Sequence, residues 1–260
     1  MNDRVTIAYA DGVADVRLNR PAKMNALDPA MFEGIDAVGR ELAAKAGLRA
    51  VVLSGEGRAF CAGLDMASFA GLGTKTDLTI RTHGASNLFQ HVAWLWRQLP
   101  VPVVAAVHGV AFGGGFQIML GADIRIAAPD TKLSIMEIKW GLVPDMAGVA
   151  LTRGLMRDDV LRELTYTGRQ FSAEEGVVNG CITRLSSEPH AAALTLAREI
   201  AGKSPDAVRG AKRLYNLAAD ADASAILSAE SVAQGGLAGS PNQMEAAIAN
   251  LEKRPPVFRD

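Results

Sequence analysis

Apolar and polar residues alternate through Val5–Ala10 and again through Val13–Leu18, on either side of Asp11-Gly12. That pattern predicts a two-stranded hairpin turning at the Asp-Gly pair. A helix is expected next, with Asp28 as its cap, Pro29 in the first turn, and an end near Lys45. The runs LRAVVLSG, VPVVAAVHG and ADIRIAA are continuously apolar, short, and bounded by Gly or Pro, so each reads as a buried strand. Helix-period stretches separate them. Strands alternating with helices predict an α/β layer architecture with crossover connections.

Near Glu188 the pattern changes. Strand-like runs stop, and Ala-rich segments of helical period follow at 190–202, 205–219, 223–234 and 241–253. Ser204-Pro205 and Ser240-Pro241 mark helix starts, and Ser240 with Gln243 has the spacing of a capping box. The expected organisation is a core over 1–189 and a helical region over 190–260. Residues 70–84, rich in Gly and Thr, read as a mobile loop before the next helix. No repeat of solenoid period is visible.

Composition adds exclusions. The 260 residues carry a formal net charge of −1 and no Lys/Arg block, which argues against nucleic acid as a partner. Cys61 and Cys181 are too few for a disulfide framework and read as reduced thiols. With no apolar signal core at the N-terminus and no run long enough to span a bilayer, the expectation is a cytoplasmic protein that does not engage membranes.

The candidate chemistry begins at HGVAFGGGFQIMLGADIRIA, residues 108–127, where Gly113, Gly114 and Gly115 stand between a strand and a helix. Glycines there expose the free N–H groups of a helix start, a place that favours negative charge. A dinucleotide turn would require glycine at position 118, which is Ile118, and a P-loop starting at Gly109 would require Lys where Gly115 stands. Both fingerprints fail. The glycines serve either close helix–strand packing or a transient anion. A second turn, GEGRAFCAGLDMASF at 55–69, also follows a strand and leads into a helix expected to start near Leu64–Asp65. Two such turns converging on one oxygen make an oxyanion hole.

These stretches, with VRLNRPAKMNAL, MEIKWGLVPD and the terminal LEKRPPVF, resemble the crotonase, or enoyl-CoA hydratase/isomerase, superfamily over essentially the whole chain. The resemblance implies a spiral of ββα units followed by a C-terminal helical region that mediates trimerisation, often as a dimer of trimers. It implies an acyl-CoA thioester as substrate and no cofactor beyond the coenzyme A that the substrate carries. The two family N–H groups that hold the thioester oxygen fall on Leu64 and Gly114. The coenzyme A contacts fall on Ala22, Lys23 and Met24, and on Ala62 with Leu64, Asp65 and Met66. Lys23 could equally be a surface lysine, and Asp65 a helix cap.

Hydratases of the family work with two glutamates, whose positions fall here on Gln117 and Glu137. Glu137 lies among apolar residues, where a carboxylate's pKa rises toward the range useful for proton transfer; it could otherwise be a salt-bridged core residue. Gln117 cannot titrate. It can bind a water or the acyl chain, and Gln117→Glu would restore a second titrating group. Asp145, eight residues beyond Glu137, matches an Asp that dienoyl-CoA isomerases of the family pair with the Glu, where hydratases have glycine. It could also be a turn Asp after Pro144. The Glu137/Asp145 pair favours double-bond isomerisation, with hydration by Glu137 and Gln117, or acyl-CoA binding without catalysis, as alternatives. One departure is notable: dienoyl-CoA isomerases carry an acid where this chain has Gln117. Cys61 has no His nearby in sequence to activate it. His83, His91, His108 and His190 lack metal-ligand spacing, so no metal is expected; His108, at a strand end, suits a structural hydrogen bond. Phe89, Trp94 and Trp96 read as core and acyl-pocket lining.

Overall fold

In a computed structural model, which describes residues 3–69 and 77–260, the hairpin forms as expected from β1 (Val5–Ala10) and β2 (Val13–Leu18). Asp11 and Gly12 both take positive φ, 51° and 76°, the conformation a two-residue hairpin turn requires. The first helix, α1 (Pro29–Ala44), starts where the cap signal places it: Met31 N–H donates to Asp28 Oδ1 at 2.9 Å. β3 (Ala50–Gly55) then pairs with β2 in parallel.

After α2 (Met66–Phe69) and α3 (Leu88–Gln98), the chain builds two sheets at once. β4 (Val103–Val107) and β6 (Ile124–Ala127) extend the first sheet; β5 (Val110–Phe112) and β7 (Lys132–Ser134) pair with each other in a second. Each of the two steps from sheet to sheet is a short link, and α4 (Gly114–Leu120) returns the chain between them. The six-stranded sheet closes as β1-β2-β3-β4-β6-β9 and the three-stranded one as β5-β7-β8, with β8 (Phe171–Ser172) and β9 (Arg184–Leu185). β3 and β4 are buried along their length because both faces are covered, which is why their sequences are continuous apolar runs.

Between the second sheet and the C-terminal region lie α5 (Gly148–Leu151), α6 (Asp158–Thr167) and α7 (Ala173–Asn179). The last four helices are α8 (Pro189–Ala201), α9 (Pro205–Ala218), α10 (Ala223–Leu237) and α11 (Pro241–Glu252). One face of the large sheet packs on α1, α3 and α4. The other is covered by α8, whose Ala193 and Ala197, one helical turn apart, sit fully buried against Val52, Val104 and Ile126. The buried Lys212 ties α9 to the core, donating to Asp123 Oδ2 and to the carbonyls of Trp96 and Val101.

Two expected caps differ. Ser240 accepts from Gln243 N–H at 3.3 Å, but Gln243 Oε1 accepts from Gly239 rather than Ser240, so the box is half made. Ser204 makes no side-chain cap bond, leaving Pro205 as the start signal. Asn87 and Gln90 form a complete capping box at α3. Of the expected loop at 70–84, residues 70–76 lie outside the described residues. No helix of the described residues is long and apolar enough to cross a membrane.

Candidate active site

The two glycine-bearing turns run side by side. Phe60 N–H donates to His108 O and Cys61 N–H to Val110 O, and Phe112 N–H returns to Cys61 O, so the chain after β3 pairs with the chain through β5. On the other flank, Leu27 N–H donates to Gly63 O, and Asp65 N–H to Leu27 O. This parallel pairing uses the amides on either side of Leu64. Among the described residues, neither Leu64 N–H nor Gly114 N–H donates to another backbone group. The approach is close: a Cβ on Gly63 would stand 2.6 Å from Phe112 O and 3.6 Å from Gly114 N. The three consecutive glycines answer to separate demands. Gly113 takes φ 50°, ψ −119°, a Cβ on Gly114 would stand 2.7 Å from Met146 Sδ, and one on Gly115 would stand 2.4 Å from Cys61 O.

Leu64 and Gly114 both line a cavity of about 550 Å³ together with Glu137 and Asp145. Its wall is otherwise largely apolar, including Met66, Leu78, Phe89, Trp140 and Met146. Glu137 opens a short 3-10 turn, Glu137–Trp140, and is buried. Burial is the main force raising its carboxyl pKa; the Asp145 charge adds to this, and the hydrogen bond from Gln117 opposes it. Glu137 Oε2 is buried with no hydrogen-bond partner among the described residues. Asp145 is exposed to the cavity it lines, and the enclosing protein raises its pKa as well.

Gln117 is fully buried and does not line the cavity. Its Nε2 donates to Glu137 Oε1 at 2.6 Å, and its Oε1 accepts from Met146 N–H and Gly148 N–H, both at 2.8 Å. One amide thus joins α4, the Glu137 turn and the loop that carries Asp145. The contact is tight: a Cβ on Gly148 would stand 2.6 Å from Gln117 Oε1. The clasp leaves no mark on side-chain identity at 146 and 148, because its partners there are backbone amides.

The remaining sequence candidates divide. Ala62 and Met66 line the cavity. Ala22, Lys23 and Met24 do not, but their turn adjoins it, since Ala62 N–H donates to Met24 O at 2.9 Å. Asp65 is drawn to Arg20 at 2.7 Å, which holds its pKa low, and it also accepts from Ser68 in the manner of a cap. α2 begins at Met66, slightly later than expected. Asn25 emerges as the organiser of these turns: its Nδ2 donates to the carbonyls of Glu56, Ala59 and Phe60, and its Oδ1 accepts from Arg20 N–H. Its φ of 54° is tolerated by Asn better than by most residues, the one cue the sequence held.

Cys61 is buried, its pKa pushed up to about 12 by desolvation, and its Sγ donates to Asn25 O, so it is no nucleophile. His108 Nε2 meets Gly57 O at 2.9 Å, a structural contact as expected. Of the three aromatics, only Phe89 lines the cavity. Trp96 is wholly core, and Trp94 packs half-buried against that core with the Arg97 guanidinium 5.9 Å from its ring. Although no ligand spacing joins the histidines in sequence, the fold places His83 and His91 beside Asp36.

The family model for enoyl-CoA hydratase/isomerase matches residues 8–260. A probable enoyl-CoA hydratase of Mycobacterium tuberculosis is 31% identical over 255 residues, covering 98% of this chain and 99% of the relative. The mitochondrial Δ(3,5)-Δ(2,4)-dienoyl-CoA isomerase of Homo sapiens is 33% identical over 219 residues, covering 80% of this chain and 66% of the relative. The solved structure of an enoyl-CoA hydratase from Bacillus anthracis superposes with a TM-score of 0.90 at 30% identity, covering 98% of each chain.

Proposed function

This chain belongs to the enoyl-CoA hydratase/isomerase family, with the crotonase-type α/β fold, and from that premise we propose that it shifts double bonds along enoyl- or dienoyl-CoA thioesters. One observation carries this reading. The cavity that holds Leu64 and Gly114, with their uncommitted N–H groups, also holds two carboxyls, Glu137 and Asp145, while Gln117 is turned away and fully engaged.

With the thioester oxygen between the Leu64 and Gly114 amides, Glu137 takes a proton from the α-carbon. The bonding pair moves into the conjugated system, and negative charge settles on the oxygen, where each fixed donor contributes about 3–4 kcal/mol. Asp145 then delivers a proton to the remote carbon as the pair returns. One proton leaves and one arrives, so the double bonds move without water. Burial raises the pKa of both carboxyls, and the Asp145 charge adds to the rise at Glu137, which favours the protonated acid at each.

The turn of Ala22, Lys23 and Met24, with Ala62, Asp65 and Met66, is the proposed seat of coenzyme A. Gln117, expected to contact substrate, is proposed to position the two acids. We propose residues 1–189 as the catalytic core and 190–260 as the region that assembles a trimer or a dimer of trimers, with α8 shared between them. In support, α10 buries none of its residues and exposes Leu227 and Val232. The substrate alone brings coenzyme A, and a cytoplasmic location suits such chemistry.

The test is kinetic. Wild type, Glu137→Gln and Asp145→Asn are assayed with a 3,5-dienoyl-CoA, followed by the absorbance of the conjugated product, and with a 2-enoyl-CoA, followed by loss of its chromophore. Isomerisation falling about 10²–10⁴-fold in both variants supports the reading. Fast hydration that survives Asp145→Asn, with no isomerisation, would favour a hydratase working from Glu137. Thioester binding without turnover of either substrate would favour a binding protein.

A further inference from the structure

A second polar cluster lies where α1 packs against α3. Asp36 on α1, His83 in the segment before α3, and His91 on α3 bring three ligand atoms within 4.8 Å of one another. Asp36 is 7% exposed. Its Oδ2 accepts from the Arg40 guanidinium, whereas its buried Oδ1 has no hydrogen-bond partner among the described residues. Facing Oδ1 are His83 Nε2 at 3.5 Å and His91 Nε2 at 3.6 Å.

The two nitrogen-to-oxygen distances are longer than a hydrogen bond and match the spacing of ligands around a metal. An N–H···O bond closes to about 2.7–3.2 Å, so a proton between these atoms would draw them nearer. Ligands each about 2.1 Å from a tetrahedral cation stand about 3.4 Å apart, close to the spacing observed. His83 is also oriented from its far side, with Nδ1 2.8 Å from Thr82 Oγ1. A proton on Nδ1, shared with that hydroxyl, leaves Nε2 with its lone pair toward Asp36, the arrangement metal-binding histidines adopt. The two imidazoles are stacked, their centroids 4.5 Å apart and their planes 23° from parallel, so ligation requires a modest splaying of the rings.

We propose that Asp36, His83 and His91 form a binding site for a divalent transition cation of the zinc class, with a fourth position left to solvent. Two imidazoles and one carboxylate suit Zn²⁺ or Co²⁺ better than Mg²⁺ or Ca²⁺, which prefer all-oxygen shells. The cation has no part in the acyl chemistry. It would fasten α1, the segment carrying Leu78, and α3 carrying Phe89 to one another, and Leu78 and Phe89 are both cavity-wall residues. The sequence concealed the site because its members stand at 36, 83 and 91 and meet only when α1 and α3 pack.

The experiment uses the full chain, stripped with a chelator and titrated with Zn²⁺ by calorimetry and with Co²⁺ by visible absorption, with Mg²⁺ in parallel. The expected result is one Zn²⁺ per chain, a Co²⁺ spectrum of tetrahedral type, and no Mg²⁺ uptake. His83→Gln and Asp36→Asn should each weaken Zn²⁺ binding at least about tenfold, and His190→Gln should leave it unchanged. Circular dichroism checks each variant's fold; if Asp36→Asn unfolds, His83→Gln decides. No Zn²⁺ binding by wild type, or binding that His83→Gln leaves intact, overturns the proposal.

Discussion

Gln117→Glu is the substitution on which sequence and geometry disagree. By composition it adds the second glutamate of a hydratase and should raise hydration. In the structure, the new carboxyl would lose the N–H that reaches Glu137 Oε1 at 2.6 Å and set oxygen against oxygen. The other oxygen could still accept from Met146 and Gly148 N–H, so the clasp on the loop survives. What changes is charge. Two carboxylates about 4 Å apart in an environment of effective dielectric near 20 repel by about 4 kcal/mol. At about 1.36 kcal/mol per pKa unit, this keeps a proton on the pair up to a pH about 2–3 units higher than for Glu137 alone. A proton shared by the pair leaves Glu137 ionised, and able to accept the α-proton, in a smaller fraction of the enzyme. The expected outcome is a lower kcat/KM for dienoyl-CoA on the acidic limb, by up to about 10²–10³-fold, recovering as pH rises. Measurement of kcat/KM across the pH range, with binding of a non-reactive acyl-CoA as control, checks this. An acidic limb that does not move, or a gain in hydration at neutral pH, refutes the positioning role of Gln117.

Stability should also depend on these acids. Glu137 and Asp145 have folded-state pKa values raised above their ordinary ones, so their contribution is intact below those ordinary values and lost as pH rises through the raised ones. Glu137→Gln should therefore flatten the fall in melting temperature with rising pH on the alkaline side of the ordinary carboxylate range; an unchanged slope would contradict the burial argument. Gly148→Ala, whose Cβ would stand 2.6 Å from Gln117 Oε1, should cost about 1–3 kcal/mol in denaturant unfolding and lower kcat more than affinity. Sedimentation at micromolar concentration should give a trimer or hexamer, and Leu227→Asp on the exposed face of α10 should dissociate it; a wild-type monomer would remove the proposed role of residues 190–260.

How much of this was legible in the chain depends on whether each contact runs through side-chain pattern or through chain path. Strands β3 and β4 were plain because burial on both faces leaves only apolar residues. The hairpin was plain because its turn needs two residues at positive φ, and Asp-Gly supplies them. Leu64 and Gly114 came from motif resemblance, and no side-chain pattern could have named Leu64, whose contribution is an amide. Lost from view were contacts whose one end is backbone: Gln117 to Met146 and Gly148, and Asn25 to Glu56, Ala59 and Phe60. Which of Phe89, Trp94 and Trp96 belong to the core and which to the pocket was not legible, because an aromatic's apolarity does not say which side of a helix faces a cavity. The Asp36, His83 and His91 cluster was missed because helix packing, not local spacing, assembles it.

The position of α8 has a consequence for how the chain is made. All strands of the large sheet precede it in sequence, yet Val13, Ala50, Val52, Val104, Ala106 and Ile126 are covered on that side by a helix whose buried contacts are Ala193 and Ala197. As the polypeptide leaves the ribosome, the sheet can pair its strands and gain α1 on one face while the opposite face stays uncovered until residue 201 has emerged. The paired turns that hold Leu64 and Gly114 are therefore rooted in a half-covered sheet for most of synthesis. A nascent chain stalled before α8 presents an apolar face to its surroundings, and that face is covered only when the last quarter of the protein arrives.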